Sequence, residues 1–383
     1  MTEASSPIRT IGICGGGKMG NSFFDHLSEY CFNVIFYQRN PLKVRQSQCK
    51  WERRIERMQK SGQGGNTPVT ITFTTELNEL TRADLIVEMI PEDLQLKQQM
   101  INTLATINTR AVIASSSSAI TPSRLTDSKA ILKRLVGLHF FYPVPFTEYA
   151  EVIINPLISD ENLKRVEFFL ETINKRGLKF SEDAGSVLNK LVLYYHNETL
   201  LMAFTENISV ALIDDVVEDS LFTIGPFRYM DMVGLDTIFH SRSEYIRGDL
   251  FYDSFSITQQ KLKSMIADGY LGKKTNKGFY AYPSGRLTHY FESADTTADR
   301  KTILERLQMV FVNTGLRFLE LNYLNRKQLK EVSIELLQAF HDPLKILSET
   351  GVDQYIHNVT RYYSKYGRYY RPVSTISKIN INS

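Results

Sequence analysis

Residues 8–40 read IRTIGICGGGKMGNSFFDHLSEYCFNVIFYQRN. The apolar run Ile8 to Cys14 is followed by three glycines, then by Met19 to Tyr30 with apolar residues at helical spacing, then by the apolar run Asn33 to Tyr37. That succession predicts strand, turn, helix, strand. Within the turn, Gly15, Gly17 and Gly20 hold the G-x-G-x-x-G spacing. In a dinucleotide-binding unit the first glycine permits the tight turn, the second lets a pyrophosphate approach the backbone, and the third lets helix and strand pack closely. The helix N-terminus then faces the phosphates. Glycine-rich turns are common on their own; the placement between strand and helix favours the dinucleotide reading.

Downstream of the second strand, Gln38 stands where an acid usually bonds the ribose hydroxyls of NAD, and Arg39 follows it. An Arg there accommodates the extra phosphate of NADP, so NADP is a candidate beside NAD. The plain alternative is a solvated Arg39 and a site that manages NAD with a neutral residue. Further strands are expected at Thr70 to Phe73, Asp84 to Glu88, Ala111 to Ala114 and Leu135 to Phe140, with helical spacing at Leu94 to Leu104. Thr121 and Pro122 mark a helix start as cap and first helical residue. The alternation predicts an α/β domain, a mostly parallel, Rossmann-type doubly wound sheet over residues 1–182. Ligands then bind beyond the carboxyl ends of the strands, at Pro91 to Lys97, Ser115 to Ser118 and His139 to Tyr142.

From Asp183 long helical patterns replace the alternation. Leu188, Leu191 and Asn197 recur as Leu304, Leu307 and Asn313, and Pro226, Gly234 and Asp236 recur as Pro343, Gly351 and Asp353. Chance in leucine-rich helices does not readily repeat proline, glycine and the GxD spacing together. Two related all-α domains are therefore expected, 183–296 and a degenerate 297–383, divided by the polar stretch ESADTTADRKT at 292–302. Two such bundles in one chain are able to bury each other, giving a monomer with an internal pseudo-dimer, or a homodimer.

With 383 residues, 43% hydrophobic and 23% charged, the chain has room for two or three packed domains, which argues against disorder, fibres and disulfide scaffolds. A net charge of +3 is too mild to advertise nucleic acid or a membrane as partner. No stretch is apolar and long enough to span a bilayer, and the start is too short for a signal peptide. A soluble cytoplasmic protein is expected. Cys14, Cys31 and Cys49 lack metal spacing and read as reduced thiols, so no metal site is expected.

Four polar residues belong to segments that converge at the strand ends: Ser118, His139, Glu151 in YAEVII, and Asn189 in the first helix past the boundary. Oxidising a hydroxyl by hydride transfer needs a base for its proton, and imidazole suits that near neutral pH. A carboxylate on the other ring nitrogen fixes the tautomer and stabilises imidazolium. Ser and Asn are able to bond the substrate oxygen. Each has a bland alternative: a structural histidine at a strand end, an edge-strand charge at Glu151, an exposed helical Asn189.

The segments GLHFFYPVPFTEYAEVI, ADLIVEMIPEDLQLK, GSVLNKLV, IGPFRYMDMVGLDT and GKKTNKGFYAY, in that order, resemble the L-3-hydroxyacyl-CoA dehydrogenases from about Ile8 to Tyr282. The segments DPLKILSETGVDQY and YYSKYGRYYRP are similar to the extra C-terminal repeat in the dehydrogenase part of multifunctional β-oxidation enzymes. The resemblance implies an NAD-dependent oxidoreductase of fatty acid metabolism acting on acyl-CoA substrates. By it His139 is the catalytic base, Glu151 its partner, and Ser118 and Asn189 the substrate-binding pair. Glu92 and Lys97 lie near the nicotinamide and its ribose.

The sequence departs from the family pattern in places. SSSSA stands where the family has SNTSS, so Ser116 replaces an Asn; SGQGGN stands where a helical hairpin contacts the CoA tail; and Glu305 takes the place of Asn189 in the second repeat, which argues against a second active site there. Two alternatives stay open: a dehydrogenase of free hydroxy acids or sugar acids on the same fold, and a non-catalytic nucleotide-binding protein.

Overall fold

A computed structural model describes residues 7–61, 70–246, 252–288, 291, 294–374 and 376. The chain forms two compact units, Met1–Ser186 and Val187–Ser383.

The first unit is built on eight strands: β1 (Thr10–Cys14), β2 (Asn33–Tyr37), β3 (Thr70–Thr74), β4 (Leu85–Glu88), β5 (Val112–Ser115), β6 (Leu135–Phe140), β7 (Tyr149–Ile154) and β8 (Arg176–Ser181). Their order is β3-β2-β1-β4-β5-β6-β7-β8. Neighbours are parallel except β6 and β7, which run antiparallel. The switch in strand order lies between β1 and β4, where a doubly wound sheet opens a crevice at its carboxyl edge. Helices α1 (Lys18–Leu27), α2 (Pro41–Lys60), α3 (Leu94–Ile107) and α4 (Asp160–Thr172) connect the strands.

The central strands are apolar on both faces because helices cover both. On one face Ile11, Ile13, Val87 and Leu138 pack with Phe23 and Phe24 of α1 and Phe169 and Leu170 of α4. On the other, Cys14, Ile35, Ile86 and Ile113 pack with Ile101 and Leu104 of α3. Burial pushes the Cys14 thiol up, keeping it protonated, while Cys31 and Cys49 are exposed free thiols.

The expected elements shift at their ends. β1 begins at Thr10 rather than Ile8, and α1 stops at Leu27, where Ser28 turns the chain and its hydroxyl bonds the Asp25 carbonyl. Thr121 occupies the cap position of a helix only one turn long, Pro122–Leu125, and its side chain makes no capping bond. The expected helix start is met, with Thr121 as cap and Pro122 in the first turn. Most of SGQGGN lies outside the described residues.

The second unit contains α5 (Val187–Thr205), α6 (Val210–Ser220), α7 (Pro226–Val233), α8 (Leu235–Tyr245), α9 (Ser256–Ala267), α10 (Arg300–Glu320), α11 (Pro343–Thr350) and α12 (Val352–Tyr366). The repeat is structural. Pro226 and Pro343 each sit in the first turn of a short helix, and Gly234 (φ +104°) and Gly351 (φ +81°) each end it in a backbone state that disfavours side chains. Asn197 and Asn313, both fully buried, each pin the chain beyond the helix that follows this glycine: Asn197 donates to the Ser254 carbonyl, Asn313 to those of Tyr369 and Arg371.

α10 packs on α5 and α6, so both copies share one compact unit. Phe222 pairs in an isolated antiparallel bridge with Ala339, its own counterpart in the repeat. A residue meeting its counterpart is the mark of a two-fold axis. Among the described residues no helix is long and apolar enough to cross a membrane.

Candidate active site

The glycine turn joins β1 to α1. Gly15 has φ +125°, and a Cβ there would stand 2.5 Å from the Met89 carbonyl. A Cβ on Gly20 would lie 1.9 Å from the Gly15 carbonyl, so only glycine lets α1 start this close to the turn. Gly17 is different, because a Cβ there would meet nothing within 4 Å. It is the cap of α1 and makes no side-chain capping bond to the first amides of the helix. A turn of this shape fits a pyrophosphate.

Gln38 follows β2 directly. It is buried, donates to the Ser47 hydroxyl at 2.8 Å, and its side-chain oxygen would lie 2.2 Å from a Cβ on Gly16. Arg39 is exposed beside it.

At the end of β4, Glu88 is fully buried with Lys97, whose Nζ lies 2.8 Å and 3.0 Å from its two oxygens and 3.2 Å from the Ile90 carbonyl. The Ser115 hydroxyl donates to the same carboxylate at 2.7 Å. Lys97 is 1% exposed, so its charge is spent inside the sheet edge, where a pair is tolerated only with its remaining bonds satisfied. Glu92 accepts from the Ser117 hydroxyl and from the Ala119 amide at 3.1 Å, which fastens the loop carrying Ser118.

His139 lies on β6 directly opposite Glu151 on β7. Its Nδ1 is 2.8 Å from Glu151 Oε2, and its Nε2 is 3.0 Å from Ser118 Oγ. With Nδ1–H donating to the carboxylate, Nε2 presents its lone pair and accepts from the Ser118 hydroxyl. Phe141 meets the ring edge-on at 5.1 Å. Glu151 is fully buried and also accepts from the Ser186 hydroxyl at 2.7 Å.

Ser118, His139 and Glu151 are thus brought together. Asn189 lies on α5 in the second unit, where its amide donates to the Tyr245 hydroxyl at 2.8 Å. Sequence reading passes over Glu88, Ser115, Ser117 and Ser186. An acid ending the otherwise apolar strand LIVE, with a lysine nine residues on, is the one signal that points to Glu88.

The doubly wound sheet and its glycine turn, with an imidazole and carboxylate at the strand ends, define a nicotinamide-dependent oxidoreductase. Residues 10–184 match the family model described as 3-hydroxyacyl-CoA dehydrogenase, NAD binding domain, and residues 185–282 match that of the 3-hydroxyacyl-CoA dehydrogenase C-terminal domain. The chain belongs to the 3-hydroxyacyl-CoA dehydrogenase family, NAD-dependent enzymes of hydroxyacyl-CoA oxidation.

It is 28% identical over 292 residues to a 3-hydroxybutyryl-CoA dehydrogenase of Mycobacterium tuberculosis, covering 73% of this chain and 100% of the relative. It is 27% identical to the mitochondrial hydroxyacyl-coenzyme A dehydrogenase of Rattus norvegicus, covering 72% and 91%. The crystal structure of 3-hydroxybutyryl-CoA dehydrogenase from Escherichia coli K12 has the same fold, with a TM-score of 0.80 at 16% identity over 97% of this chain and 98% of that one.

Proposed function

We propose that His139 is the acid and base of an L-3-hydroxyacyl-CoA/3-oxoacyl-CoA interconversion, carried by the Ser118–His139–Glu151 chain of hydrogen bonds. When bound, the nicotinamide cofactor accepts a hydride from C3 of the hydroxyacyl group or returns it. His139 Nε2 takes the hydroxyl proton in oxidation and gives it back in reduction. Glu151 holds the Nδ1 proton and offsets the imidazolium charge. Ser118, already bonded to Nε2, orients the substrate oxygen. Asn189 is assigned as its partner from the motif GSVLNKLV alone.

Gly15, Gly17 and Gly20 form the cofactor turn, with Glu92 closing the neighbouring loop and Lys97 anchored behind it. NAD is the cofactor of the family. The neutral Gln38 and exposed Arg39 support NADP as a second cofactor. The facing repeats support a monomer whose two copies play the parts of two subunits. The exposed thiols Cys31 and Cys49 suit a reducing, cytoplasmic setting.

The test is a spectrophotometric assay of acetoacetyl-CoA reduction with NADH and with NADPH in parallel, beside free 3-hydroxy acids in the oxidative direction. Turnover of the thioester is expected. Activity on the free acids alone, or cofactor binding without any turnover, overturns the proposal.

A further inference from the structure

We propose that Ser186 is a positioning residue for the acid–base pair, holding the Glu151 carboxylate in place and tuning the pH at which His139 works. The inference rests on the roles given above to His139 and Glu151.

Glu151 Oε2 receives two donors, His139 Nδ1 at 2.8 Å and Ser186 Oγ at 2.7 Å. The carboxylate is fully buried and Ser186 is 3% exposed, so water does not substitute freely for the hydroxyl. The chain is built to deliver it. After β8 the backbone turns through Gly185 (φ +61°), whose amide bonds the Ser181 and Glu182 carbonyls, and the next residue comes back over β7.

A serine proton on Oε2 does two things. It fixes the oxygen that orients the imidazole, and it withdraws charge from the oxygen that stabilises imidazolium. A buried carboxylate is costly without donors, and the hydroxyl supplies one whatever the charge on the imidazole. Without Ser186 the carboxylate is more basic. Imidazolium is then favoured, and protonation of the pair in acid comes sooner. Both effects move the acid limb of the oxidation reaction to higher pH.

The other charged groups on adjoining elements are already engaged. Arg176 and Lys179 of β8 bind Tyr149 and Glu167, Glu182 binds Ser123, and Lys97 and Glu92 belong to the β4 edge. Asp183 lies in the turn itself and stays in place in the variants below.

The experiment is a pH profile of Ser186→Ala and Ser186→Thr in both directions, with NADH affinity measured by fluorescence titration. For Ser186→Ala, kcat at neutral pH falls by about ten-fold, the scale of one hydrogen bond to a buried charge. The acid limb of oxidation and the basic limb of reduction move up together by about half a unit or more. NADH affinity is unchanged, and Ser186→Thr, which keeps the hydroxyl, restores both limbs. A histidine NMR titration, with His139 identified by its loss in His139→Gln, reads the same upward move without any turnover.

Limbs and NMR titration at wild-type positions in a folded Ser186→Ala protein overturn the proposal. So does a fall in kcat that Ser186→Thr does not restore. Wild-type protein without acyl-CoA turnover overturns the catalytic reading instead, while the NMR titration still decides the coupling.

Discussion

His139 and Glu151 are direct partners across the antiparallel ladder of β6 and β7, so their 2.8 Å contact is fixed by strand register and not by a loop. A one-residue slip would send the two side chains to opposite faces. Glu151→Gln keeps the shape but removes the charge and the tautomer control. It is expected to lower kcat by about 10²–10⁴-fold, and His139→Gln by at least as much. Steady-state kinetics checks this, with NADH binding unchanged. Wild-type turnover in purified His139→Gln contradicts the assignment.

The glycine turn separates folding from cofactor binding. Gly20→Ala drives a methyl into the Gly15 carbonyl at 1.9 Å and is expected to lower stability by about 1–3 kcal/mol. Gly17→Ala meets nothing in the protein, so its melting temperature stays near wild type while NADH affinity falls. Thermal unfolding and fluorescence titration of the two variants test the contrast.

Arg39 is exposed two residues beyond the end of β2. If it grips the extra phosphate, Arg39→Ala weakens NADPH by about ten-fold or more, the scale of a charge-assisted hydrogen bond, and leaves NADH nearly unchanged. An equal loss for both cofactors discredits the role.

Arg306 on α10 and Glu198 on α5 form an ion pair between the two repeat copies, 3% and 0% exposed. Glu206 and the Tyr369 hydroxyl complete it. Arg306→Met strands the Glu198 charge and is expected to cost about 3–5 kcal/mol in urea unfolding. Adding Glu198→Leu recovers much of that loss, because no buried charge then remains.

His196 is buried on α5 and stacks on Tyr229. Desolvation, then the charge of Arg242, lowers its pKa from 6.5 to about 3. The folded state therefore keeps it neutral while the unfolded chain protonates below about 6.5, and stability is lost as pH falls from there toward about 3. At pH 5 the loss is about 2 kcal/mol. His196→Phe, which keeps the stack, is expected to flatten the pH dependence of the melting temperature over that range.

Much of the fold was legible locally. The apolar runs of β1, β2 and β6, the spacing of Gly15, Gly17 and Gly20, and the Pro226/Pro343 and Gly234/Gly351 recurrences all express short-range backbone sterics, which neighbours in sequence dictate. Thr121 and Pro122 likewise marked a helix start, although a capping signal reports where a helix begins and not its length, here a single turn.

The sequence alone therefore determined the α/β class, the glycine turn between β1 and α1 and the duplication. Only the tertiary structure decided that Ser186 returns to Glu151, that Lys97 is consumed by Glu88, and that Phe222 meets Ala339. Each of these joins residues far apart in the chain through strand register or helix packing, and no local propensity encodes a distance between segments whose separation is set by the packing of everything between them.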